Sequence, residues 1–293
     1  SRINAIYGLT IRKSDQRELL MGQAVLKIHS VDPGGVEFQP EGYFCDEENE
    51  EAEVQQPFED CSLIGEFKQT FLLNRGNESG LSVVVPYVNE RLKAGEILKS
   101  VIVHFFWRIL SGDLEVSVDG PDLESEVKLD ATTFSEVCDS LSWSQGDPVG
   151  KRHPPPVALA TWAQSLSEFP FVLKSSSQWS KELFAEGDLE KAQLLFEKGE
   201  PVGVRAKLAI SQEEAGSVKK FPSHFDVVLQ QSADVQRGED LFIRRGMTIS
   251  KMSTIQGKRH VRGIVLVEEP RLSGLLGDCE GPAHTDWNRN SER

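Results

Sequence analysis

The chain has 293 residues, 39% of them apolar, and its 46 acidic against 32 basic side chains leave a formal net charge of −14. That length and apolar share can fill one large or two ordinary domains, while a surface this acidic repels phosphate backbones, so nucleic acid is not an expected partner of the chain alone. The longest apolar candidate, Ile97 to Leu110, is interrupted by Lys99, His104 and Arg108, which excludes a membrane span of roughly 20 apolar residues.

Alternation predicts two strands, Tyr7 to Lys13 and Gly22 to Val31, around a turn near Ser14 to Glu18. Asp32-Pro33-Gly34-Gly35 is a turn by composition, and the acidic run Asp46 to Glu53 cannot be buried and reads as a loop. Glu66 to Leu73 and Gly80 to Tyr87 read as a β-hairpin. A helix is predicted from Asn89 or Glu90 to Ser111-Gly112, with Leu92, Ile97, Val101, Phe105 and Ile109 among its packing positions. His104 on that helix reads as a core or boundary histidine. Leu114 to Val118 adds a strand. Gly146 to Pro156, with Pro154-Pro155-Pro156, is the linker candidate, since consecutive prolines block helix and ladder alike.

Helices are then predicted over Val157 to Leu166 and Lys181 to Lys198, the second interrupted at Glu186-Gly187-Asp188. Strands follow at Val202 to Ile210, His224 to Gln230, Leu241 to Ile249 and Val261 to Val267, before a short helix over Arg271 to Leu276. This order predicts an α+β fold of mostly antiparallel sheets with packed helices and two subdomains. The expected organisation is a first α+β subdomain over 1–120, a partly helical segment with the Pro-rich linker over 121–156, and a second α+β subdomain over 157–293.

Charge is distributed unusually in the last quarter. Arg244 and Arg245 sit in an otherwise apolar strand and Arg262 enters the next one; a guanidinium there needs a carboxylate or another anion to face. One of the pair is expected to bond Glu239 or Asp240 with the other solvated, or one of them to cross a domain interface or approach a phosphate. Lys251, Lys258, Arg259, His260 and Arg262 form either a solvated hairpin loop or a local basic patch. The tail places Asp278, Glu280, His284 and Asp286 around Gly281-Pro282, with Trp287 close behind. Those residue types suit acid–base or metal chemistry, but equally the capping of a turn held by Trp287, or a surface facing another domain.

Leu241-Phe242-Ile243-Arg244-Arg245-Gly246-Met247-Thr248-Ile249 resembles a middle-domain strand of the ninety-kilodalton heat-shock chaperones, and Val261 to Leu272 resembles the strand that follows it. Leu275-Leu276-Gly277-Asp278-Cys279-Glu280-Gly281-Pro282-Ala283-His284-Thr285-Asp286-Trp287, Leu20-Met21-Gly22-Gln23-Ala24 and Gly80-Leu81-Ser82-Val83-Val84 are similar to segments of uncharacterised bacterial GHKL-type ATPases. The resemblance implies a transducer-like module without catalysis of its own, coupling ATP and Mg in an upstream ATPase domain to movement or partner binding. It makes Arg244, Arg245, Arg262 and Arg271 candidate phosphate-sensing or interface residues, with Arg271 nearest to where the chaperones place their arginine. It also leaves a homodimer open.

The chain carries no Asp-x-Gly-x-Gly, P-loop or Gly-x-Gly-x-x-Gly with which to build a nucleotide site, and no Gly-x-Ser-x-Gly or His-Glu-x-x-His. The expectation is therefore no catalytic residue, metal or cofactor in these residues. The competing reading is a stand-alone hydrolytic or metal-dependent enzyme using the acidic and histidine tail. Cys45, Cys61, Cys138 and Cys279 lack Cys-x-x-Cys spacing and read as reduced thiols, which makes the cytoplasm the expected location.

Overall fold

The computed structural model describes residues 5–288 except 26, 29, 31–33, 47–54, 87, 89–91, 144–153, 177, 215–216, 256 and 282–283. The expected turn at Asp32-Pro33, most of the acidic run, the start of the helix at Asn89 or Glu90, and most of the Pro-rich linker lie outside the described residues. The fold is α+β, with two compact units, residues 1–92 and 93–293.

In the first unit, β1 (Ala5–Ile11) and β2 (Glu18–Val25) form the predicted hairpin, flanked by β3 (Glu41–Phe44) and later by β4 (Gly80–Val84) in the order β3-β2-β1-β4. Between β3 and β4 lies α1 (Cys61–Thr70), where a strand was expected from Glu66 onward. The correction has a plain cause. Asp60 caps the helix by accepting from the Leu63 amide at 2.7 Å, and Ile64, Phe67 and Phe71 recur at helical spacing to pack on Leu9 and Leu20. The four-residue spacing of Phe67 and Phe71 also fits a strand period, but only over that short window. Partner selection changes too, since β4 pairs antiparallel with β1.

The second unit begins with α2 (Ala94–Leu110), then β5 (Val116–Val118), β6 (Val127–Leu129), α3 (Phe134–Ser140) and α4 (Val157–Ser165). Lys93 offers α2 no side-chain cap; Asp122 accepts instead from the Ala94 and Gly95 amides at 2.9 and 3.0 Å. Leu98, Ile102, Phe106 and Ile109 form the buried stripe of α2, while Leu92, Ile97 and Phe105 are exposed. The buried stripe thus lies about one position beyond most of the apolar set expected from the sequence.

β7 (Phe171–Leu173) and a 3-10 turn at Lys181–Leu183 precede α5 (Asp188–Glu197), with Gly187 at φ 75° separating turn from helix as predicted. The long hairpin β8 (Val202–Glu214) and β9 (Ser217–Gln231) follows, then β10 (Glu239–Arg244), β11 (Met247–Ile249), β12 (Val261–Val267) and α6 (Pro270–Asp278). The sheet order is β11-β10-β12-β9-β8-β7. Most pairs are antiparallel, but β10 with β12 and β7 with β8 run parallel.

Helices cover both faces of this sheet. Phe106 and its neighbours on α2, with α3 and α4, pack on Val228, Leu241, Ile243, Ile264 and Leu266. On β7 and β8, Ala192 of α5 packs with Phe171, Val202, Val204 and Ala206. α2 belongs to the unit of residues 93–293, with Leu98, Ile102, Phe106 and Ile109 buried in its core. No helix among the described residues is long and apolar enough to cross a membrane.

Candidate functional site

The stretch expected as one strand over Leu241 to Ile249 is a hairpin. Arg244 pairs with Met247, leaving a two-residue turn in which Arg245 and Gly246 have φ of 47° and 76°. Two successive positive φ angles define a type I′ turn, whose twist suits flanking strands. Glycine carries that conformation without strain, and a Cβ at 246 would also run into the Arg108 side chain. The turn is held from both sides. Arg108 Nε and Nη2 donate to the Arg245 carbonyl at 3.2 and 3.0 Å, and the Gly246 amide donates to Glu268 Oε1 at 3.0 Å. Desolvation pushes the Glu268 carboxyl up, opposed by that amide and by the charges of Arg108 and Arg245. The Arg245 guanidinium itself is exposed and donates no hydrogen bond to the described residues.

Arg244 is committed elsewhere. It reaches Glu280 through Nε to Oε1 at 2.5 Å and Nη2 to Oε2 at 2.6 Å. The same carboxylate accepts from Trp287 Nε1 at 2.9 Å and lies 2.8 Å from His284 Nδ1. The Glu280 side chain is inaccessible to solvent, and Arg244 is 13% exposed. Burial alone would raise the Glu280 carboxyl, yet Arg244, Trp287 and His284 together hold it below the ordinary range. Trp287 closes the cluster by meeting Phe242 edge to face, ring centroids 5.6 Å apart. The tail is thus a strap, fastened by one buried carboxylate to the end of β10.

Arg262 points the other way. It lies in register with Glu239, so alternation puts it on the Ile264 and Leu266 side, packed by α2 to α4, whereas Arg244 shares the Phe242 side. Its Nη2 donates to the Pro154 carbonyl at 3.3 Å, and its Nε forms an ion pair with Glu239 at 3.2 Å, outside hydrogen-bond geometry. Arg271, on α6, lies over the Phe221 ring at 3.9 Å to the centroid. The N-cap of that helix is Glu269, which accepts from the Arg271 and Leu272 amides at 3.1 and 2.9 Å and from the Ser223 hydroxyl.

The four arginines therefore form no single cluster. Arg244 and Arg262 face carboxylates on opposite sides of the sheet, Arg271 stacks on an aromatic ring, and Arg245 faces solvent. The expected partner of the Arg pair, Glu239 or Asp240, is replaced by Glu280. Asp240 instead accepts from Ser253 Oγ, the Thr254 amide and Thr254 Oγ1 at 2.5–2.6 Å, tying the loop after β11. Arg108 and Glu268 escape sequence reasoning: their link to the turn spans positions far apart in the chain, and no local pattern announces it.

Of the tail residues, Glu280 and His284 come together, while Asp278 and Asp286 are exposed. No group of three His, Cys, Asp or Glu side chains suited to a metal ion occurs among the described residues. A shallow cleft of about 470 Å³ is lined by Ser135, Cys138, Asp139, Pro154, Pro155 and Thr161 among others, and by none of the four arginines. Burial pushes the Cys138 thiol up to about 12, leaving little thiolate for chemistry near neutral pH. The chain matches no protein-family model, no curated protein and no solved structure.

Proposed function

We propose that the chain is a transducer-like, non-catalytic module of a GHKL-type ATPase, coupling the nucleotide state of an ATPase domain outside these residues to conformational change or partner binding. The observation that supports this most is the contrast at the β10–β11 turn. Arg244 is locked under Glu280, whereas Arg245 projects from a turn braced by Arg108 and Glu268. A rigid mount carrying an uncommitted guanidinium suits recognition of a phosphate or of a carboxylate on another domain. Arg271 is the secondary candidate, and Arg244 and Arg262 act as fasteners. ATP and Mg belong, in this reading, to the ATPase domain. Cys45, Cys61, Cys138 and Cys279 form no disulfide, which fits a reducing, cytoplasmic setting.

The test is ATP turnover by the protein that carries this chain. Arg245→Ala should lower turnover by about tenfold, the loss of one charge-assisted contact worth about 1.4 kcal/mol, with the melting temperature of the 293-residue chain unchanged. A parent protein without ATPase activity, or unaltered turnover in the variant, would sink the reading. Calorimetric titration of the chain alone with Mg-ATP should show no binding. Micromolar affinity would place a nucleotide site within these residues and overturn the non-catalytic assignment.

A further inference from the structure

The parallel strands β10 and β12 start at the same end of their sheet. The β9–β10 loop (232–238) and the β11–β12 loop (250–260) therefore meet there. Backbone bonds fix the meeting: the Gly238 amide donates to the Lys258 carbonyl at 2.7 Å, and the Ser232 amide to the His260 carbonyl at 2.9 Å. Buried Val235 anchors the first loop, and Asp240 ties down the second through Ser253 and Thr254. The approach is so close that a Cβ at Gly238 would stand 2.2 Å from the Ile255 carbonyl oxygen.

This packing sorts the cations that cluster in the sequence. Arg262 turns inward to Glu239, and Lys251 lies beside the tail, its amide donating to the Thr285 carbonyl at 2.7 Å. Lys258 and Arg259 remain, and Arg237 joins them from the other loop. All three are exposed and make no side-chain hydrogen bond or ion pair with the described residues. The two loops together hold four Lys and Arg against one carboxylate, Asp234, in a chain whose total is −14.

We propose that this end of the sheet binds an acidic segment of a partner protein, whose carboxylates meet Arg237, Lys258 and Arg259. A guanidinium fork matches a carboxylate with two parallel bonds, and the Lys ammonium adds a point charge. The loops are already fixed by their own backbone bonds, so less ordering opposes binding. A short acidic segment can end within the patch. A nucleic acid strand runs past it and meets the repulsion of the acidic remainder. The surface lies at the end of β10 opposite the Arg245 turn, and it does not depend on the ATPase reading.

The test is fluorescence anisotropy of a labelled hexaglutamate peptide with the 293-residue chain. Salt is set at about 20 mM and then about 300 mM, which shortens the screening length from roughly 20 Å to roughly 6 Å. Saturable binding with a dissociation constant below about 1 mM is expected at the lower salt, and weaker binding at the higher. Lys258→Glu with Arg259→Glu should weaken it by about tenfold or more. Arg237→Glu, on the other loop, should also weaken it and covers the case in which the double variant fails to fold. Lys13→Glu with Lys198→Glu changes the net charge as much at two exposed sites elsewhere, and should leave binding within about twofold. No binding at low salt, binding indifferent to the folded loop variants, or an equal loss in the Lys13 and Lys198 variant would overturn the proposal. So would tighter binding of a single-stranded oligonucleotide of the same charge.

Discussion

Glu280 gathers a guanidinium, an indole and an imidazole on one carboxylate shut off from water. Removing its charge leaves Arg244 nearly buried without a counter-ion, so Glu280→Gln should cost about 3 kcal/mol in urea denaturation, as for breaking a buried pair. His284 is half exposed and contributes one bond; His284→Ala should cost under about 1 kcal/mol. The pH dependence follows from the same residue. Because the folded carboxyl is held below its unfolded value, the stabilisation is complete above the ordinary carboxylate range and is lost as pH falls through the folded value. Thermal melts should therefore be flat for this contribution above about pH 5 and decline below about pH 4. Glu280→Gln should remove that part of the decline, and an identical acid profile in the variant would show that the strap does not set it. Trp287 is only partly buried, so its truncation should cost less than the 3–5 kcal/mol of a full core cavity.

At the scale of elements, the β10–β11 turn and α2 carry opposite kinds of stability. Gly246 has a positive φ and faces the Arg108 side chain, so Gly246→Ala combines backbone strain with displacement of the brace. A loss of about 1–2 kcal/mol is expected, and equilibrium denaturation of that variant showing no loss would mean the brace is dispensable. Phe106 is fully buried in the α2 core, and Phe106→Ala should cost about 3–5 kcal/mol by the same measurement. Exposed Phe105 next to it should cost far less when truncated. The comparison discriminates between the two candidate faces of α2. Both faces are apolar in the sequence, and it is the packing against Ile243, Ile264 and Leu266 that selects one.

For the whole molecule, the α+β class, the β1–β2 hairpin, the strands β8, β9 and β12 and the helices α4 and α6 were readable because each rests on local signals: alternation, glycine punctuation, or proline at a helix start. The helix α1 was not, since Phe67 and Phe71 lie four positions apart, a spacing that fits both periods, and the decision lies with Asp60 and with what Leu9 and Leu20 offer to pack against. Short strands such as β6 and β7 were missed for a related reason: three residues carry too little pattern, and they exist as strands through their partners. The candidate site divides in the same way. That arginines amid apolar strands require anions follows from the charge of the guanidinium and the cost of burying it alone, and could be stated from residue types. Which anion each one meets could not. The parallel pairing of β10 with β12 sets Arg244 and Arg262 on opposite faces, and the turn of the tail delivers Glu280 across 36 positions of chain to Arg244. Composition dictated that the charges be neutralised, because low-dielectric surroundings penalise a lone charge wherever it lies; strand register and chain reversal, set by the packing of distant apolar faces, chose the partners and left Arg245 facing solvent.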